Sequence, residues 1–137
     1  MGRVINLETA GKDRTQLVRG VVLSLRELMQ QTAPDATTRD LAAFIALALE
    51  AISATIDISV AAWEKRGYWL KADRFRMEWN WSGQLGAGMR QAVLAEDWGR
   101  VAQVAAQVAA RLGDVNLPQR HRLGKPWEGA WQRLING

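Results

Sequence analysis

The side chains with the most chemistry to offer lie between residues 63 and 81. Four of the seven tryptophans, the one tyrosine and one of the two phenylalanines fall there, interleaved with Lys65, Arg66, Lys71, Arg74 and Arg76. Aromatic rings stack on bases and cations hold phosphates, so this mixture suits a nucleic-acid surface. It also suits a packed helix seam, in which arginine lies over indole faces and neighbouring acids pair the cations. Glu64 with Lys71 and Asp73 with Arg76 are the pairs expected, the second at i,i+3 spacing.

Helical spacing sorts these residues. Leu41, Ile45, Ile52, Ile56, Trp63, Leu70, Met77 and Trp81 fall on one face of a helix, and Phe44, Leu47, Ala51, Ile58 and Trp69 form a second apolar stripe beside it. Tyr68, Phe75 and Trp79 project instead near a polar line at seven-residue spacing, made of Glu50, Asp57, Glu64, Lys71 and Glu78. Off-stripe aromatics with arginines beside them are the usual anchors of interfaces. The candidate partner-binding set is therefore Tyr68, Lys71, Arg74, Phe75, Arg76 and Trp79.

Other chemistries find little material. No cysteine is present, which excludes disulfides, thiolate metal sites and a cysteine nucleophile. The single histidine, His121, stands between Arg120 and Arg122, and with no cysteine present the common nucleophile–base pairs have almost no material. Glu50, Asp57 and Glu64 recur every seven residues, about 10 Å apart along a helix, too far to share one ion. Gly83, Gly86 and Gly88 resemble a phosphate cradle only loosely, because the Walker lysine and the strand before it are missing. Neither Gly-x-Ser-x-Gly nor His-Glu-x-x-His occurs. No catalytic residue, cofactor or metal ligand is assigned.

The elements that must position these residues read as helices throughout. Leu17, Val21, Leu25 and Leu28 predict a first helix over 12–31, stopped by Pro34. Thr37 or Thr38 is the expected cap of the second helix, with Asp40 in its first turn. Lys65 and Arg66 before Gly67 are a stop signal. The stripe nevertheless resumes in register at Leu70, Met77 and Trp81, which favours one long helix to residue 81, kinked at Gly67. Ser82 and three glycines predict a turn over 80–88, then a short helix over 89–95. Asp97 caps a fourth helix carrying Trp98, Val101, Val104, Val108 and Leu112, which Gly113 ends. Residues 114–125, like 1–8, read as extended or loop, and Pro126 opens a short final helix with Trp127 and Trp131.

The expected fold is thus all-α, a single small helical bundle of four main helices plus a short C-terminal helix. The chain has 137 residues, 48% hydrophobic and 23% charged, a globular balance. Its net charge of +4 is uneven: residues 63–81 carry five cations against three acids, and residues 111–137 five against two. The first residues show no signal-peptide pattern, and a cytoplasmic protein without a membrane partner is expected. The function expected is non-catalytic protein interaction or self-assembly, with a second copy as partner in a dimer. Nucleic-acid binding through 63–81 and the basic C-terminal segment is the alternative, and small-ligand binding between tryptophan-lined helices a third.

Overall fold

Apolar residues recurring every three or four positions fold into six helices in the computed structural model, which describes residues 7–137. They are α1 (Leu7–Leu28), α2 (Ala36–Lys65), α3 (Trp69–Trp79), α4 (Trp81–Leu94), α5 (Trp98–Arg111) and α6 (Ala130–Asn136). No strand occurs among the described residues. The all-α bundle is the one the periodicity predicts, with α1, α2, α4 and α5 as its main helices and α6 as the short C-terminal one. The difference lies at Gly67, where the expected long second helix stops and α3 begins as a helix of its own.

The central element is α2, against which α1, α3, α4 and α6 all pack. Leu41, Ile45, Leu49 and Ile52 are fully buried on it, and the last three share one core cluster with Val21 of α1, Met89 and Val93 of α4, and Val104 and Val108 of α5. The buried alanines 42, 43, 46 and 48 lie between them, so neighbours approach from several sides. This is the one helix long and apolar enough to cross a membrane among the described residues, and 56% of its most apolar window is buried inside the bundle. Its composition is that of a core helix with few exposed positions to furnish.

The ends of α2 are set by side chains. Asp35, rather than a threonine, is the N-cap: its Oδ1 accepts from the Thr38 amide (3.0 Å) and hydroxyl (3.2 Å). The Thr38 amide bond holds the Asp35 carboxyl below its ordinary range. Asp40 does not serve the first turn of its own helix. Its carboxylate accepts from the amides of Trp131 (2.9 Å) and Gly129 (3.3 Å), capping α6 from 91 residues away. That link, with buried Trp127 against Leu23, Leu41 and Leu117, fastens the C-terminal segment. Arg26 adds a hydrogen bond to the Leu117 carbonyl (2.7 Å) from α1, holding the loop that the sequence predicts over 114–125.

Three other expectations change. At the C-terminus the final helix starts at Ala130 rather than Pro126, with Trp127 in the turn before it. Helix α1 occupies Leu7–Leu28 rather than 12–31, so residues 7 and 8 are helical and not extended, while 1–6 lie outside the described residues. Residues 81–88 form the first two turns of α4 rather than a turn. The glycines there serve close packing: a Cβ on Gly86 would lie 3.1 Å from the Leu49 Cβ, and one on Gly83 3.0 Å from the Ser53 hydroxyl. A bulkier residue at either would push α4 off α2. At the far end Asp97 caps α5 as predicted, accepting from the Arg100 amide at 3.1 Å.

Replacing the remote cap isolates its contribution. Asp40→Ala is expected to lower unfolding stability by about 1 kcal/mol, the usual worth of a capping side chain. Amide exchange in α6 should rise while exchange in α5 does not, and unchanged α6 exchange would contradict the capping role.

Candidate functional site

The site grows from the way α2 ends. Gly67 has φ +82°, the left-handed conformation that glycine adopts without a Cβ clash. The Gly67 amide donates to the Glu64 carbonyl (3.0 Å) and the Tyr68 amide to the Trp63 carbonyl (2.9 Å), which is the Schellman closure of a helix C-terminus. Trp63 and Tyr68 line one groove beside this corner. The chain then starts α3 at Trp69 in a new direction.

The break changes which face of α3 looks inward. Ala72, Phe75 and Trp79, spaced i, i+3 and i+7, pack against Ile56, Val60 and Trp63 of α2. Their rings form a run: Phe75 meets Trp63 edge-on at 4.9 Å, Trp79 follows at 6.4 Å, and Trp81 stacks on Trp79 at 5.8 Å. Phe75 and Trp79 therefore belong to the packed seam, where the sequence places them near the polar line. Three residues expected in the core stripes face solvent instead. Trp69 is 62% exposed, Leu70 64% and Met77 74%, and Tyr68 at the corner is 54% exposed.

The charges divide in the same way. Arg76 donates to Asp73 (2.8 Å) and Glu64 (3.1 Å), and the Glu64 bond raises its pKa above the ordinary arginine value. Glu64 thus pairs with Arg76 rather than with Lys71. The Lys71 ammonium lies 4.5 Å over the Trp63 ring. Lys65, Arg66 and Arg74 are exposed and form no ion pair among the described residues. Arg14 reaches from α1 to lie 4.8 Å over Phe75, with hydrogen bonds to the Ser59 hydroxyl (2.7 Å) and the Thr55 hydroxyl (3.1 Å). Burial lowers its pKa from the ordinary value.

The result is a surface groove of about 840 Å³ between the end of α2 and α3, beside an apolar outer ridge. Of the six sequence candidates, Tyr68, Lys71 and Arg74 line the groove, Lys71 with its ammonium over the Trp63 ring. Phe75 closes its floor, Arg76 is committed to two carboxylates, and Trp79 is packed on Trp81. Trp69, Leu70 and Met77 are the exposed residues that the stripe reading missed. Restarting the helical count after Gly67 finds them, because Ala72, Phe75 and Trp79 then take the inner face.

The remaining candidates have structural partners. Glu50 receives two hydrogen bonds from Arg90 (2.8 and 2.7 Å), which raise the arginine pKa and tie α4 to α2. His121 accepts from the Leu123 amide (3.3 Å) in the loop. No group of three His, Cys, Asp or Glu is placed to hold a metal among the described residues.

Truncation separates seam from ridge. Phe75→Ala is expected to cost about 2–4 kcal/mol of unfolding stability, since its ring fills a packed seam. Leu70→Ala and Met77→Ala should each stay within about 0.5 kcal/mol of wild type, as surface changes do. Equal losses at the three positions in urea unfolding would contradict the assigned faces. Comparison with protein-family models, curated proteins and solved structures finds no match for the chain, so its function is argued from this geometry.

Proposed function

We propose that this chain is a non-catalytic docking protein that engages its partner through the outer face of α3 and the Gly67 corner. The observation that carries this reading is the exposure of Trp69, Leu70 and Met77 together on one helix whose opposite face is well packed. Large apolar side chains clustered outward leave water only when a partner covers them. A residue exposed by poor packing would have unpacked neighbours beneath it, whereas Ala72 under this ridge is fully buried.

The surrounding charges select the partner's sign. Lys65, Arg66 and Arg74 are not neutralised, and Lys71 is held by an aromatic face rather than by an acid. Such a surface favours an anionic partner and suits a second copy poorly. A two-fold pairing centred on Leu70 and Met77 would bring the two Arg74 side chains together, and unpaired like charges disfavour a complex.

A photo-reactive residue installed at position 70 tests the reading in the cells that make the chain. Adducts are expected at position 70 and not at position 107, an exposed site on the far helix α5. Equal adduct yields at the two positions would contradict a docking role for α3.

A further inference from the structure

We infer that the partner of this face is an anionic lipid surface, on which α3 rests with its ridge in the interfacial layer. The inference depends on the docking role proposed for α3 and names what covers it. It also departs from the sequence expectation of no membrane partner, which rests on the lack of a signal-peptide pattern, whereas the ridge of Trp69, Leu70 and Met77 emerges only with the break at Gly67.

Three features point to lipid. The exposed residues form an outward ridge on a helix, and a bilayer interface receives a ridge without needing a matching pocket. Trp69 and Tyr68 are the residue types that favour the headgroup layer, with an apolar body and a polar tip, while Leu70 and Met77 are purely apolar. Lys71 and Arg74 line the groove beside Trp69 and Leu70, and Lys65 and Arg66 are exposed at the end of α2, so the neighbourhood of the ridge is cationic and suits anionic headgroups. The acids in the same stretch reduce this without reversing it: Arg76 holds Glu64 and Asp73 in a triad that keeps one negative charge, Glu78 adds another, and the stretch still has two more cations than acids. The contact is peripheral, with α2 retained as the core of the bundle.

A nucleic acid fits less well, for a geometric reason. Bases stack on free ring faces. Lys71 covers a face of Trp63, Phe75 abuts its ring edge-on, and Arg14 covers Phe75. Tyr68 and Trp69 are the rings left open in the segment, and the exposure of Leu70 and Met77 has no role in base stacking.

Co-sedimentation of the full chain with vesicles is the test. Binding is expected to vesicles of phosphatidylcholine containing phosphatidylserine, and much less to phosphatidylcholine alone. Leu70→Glu and Met77→Glu should each weaken binding by about tenfold or more, because a carboxylate must then enter the interfacial layer. Charge reversal at Lys65 and Arg74 should weaken it as well, and added salt should do the same. Thermal melting of each variant near the wild-type value shows that the fold is intact. Absent vesicle binding at low salt, or equal binding by wild type and Leu70→Glu, overturns the inference. Two parallel arms separate the claims. If a single-stranded oligonucleotide binds, or sedimentation shows a dimer, and Leu70→Glu abolishes either while vesicles stay unbound, lipid is overturned and the docking face stands. If Leu70→Glu changes nothing in any arm, both fall.

Discussion

A single left-handed residue organises the surface of this protein. With Gly67 at φ +82° and its Schellman hydrogen bonds made, α2 is closed and the chain re-enters helix in a different direction. Everything on α3 follows from that rotation. Ala72, Phe75 and Trp79 turn under, and Trp69, Leu70 and Met77 turn out. A nonglycine residue there would carry the usual cost of a left-handed backbone, about 1–2 kcal/mol. Nothing lies within 4 Å of the position a Cβ would take, so backbone conformation alone demands glycine.

The core explains why the outer face of α3 is the exceptional surface. Helix α2 is enclosed by its neighbours, and two glycines of α4 let the backbones approach closely at Leu49 and Ser53. Polar links hold the assembly at its margins: Arg14 joins α1 to α2, Arg90 joins α4 to α2, and Asp40 joins α2 to α6. Against that background Arg76 engages two of the three acids beside α3, and five cations still outnumber them. The ridge therefore remains apolar and its surroundings cationic.

The parts of this architecture legible in sequence are those with local causes. The helical periodicity of α1, α2 and α5 is visible because each buries its own regular stripe, and Asp97 announces α5 because its acceptor serves an amide three residues on. What escapes reading depends on distant partners. Glycines 83, 86 and 88 look the same whether they make a turn or a close contact, and only Leu49, Glu50 and Ser53 decide between them. Asp40 looks like a first-turn acid until α6 arrives beside it. At Gly67 a mid-helix glycine costs only about 1 kcal/mol, so an in-register stripe on both sides argues for continuity. The break therefore moves whole faces: Phe75 and Trp79, expected outward, form the seam, and three residues expected in the core form the ridge. Tyr68, Lys71 and Arg74 kept their place beside the groove because they flank both faces.

Amide hydrogen exchange across residues 64–75 tests the break at Gly67 most directly. Trp69, Leu70 and Lys71 begin α3, and among the described residues their amides have no carbonyl partner, whereas Ala72 donates to the Tyr68 carbonyl at 3.0 Å. Slow exchange is expected through the last turn of α2, fast exchange at residues 69–71, and slow exchange again from Ala72 onward. Uniformly slow exchange from 64 through 75, the pattern of one continuous helix, would contradict the break and the outward face built on it.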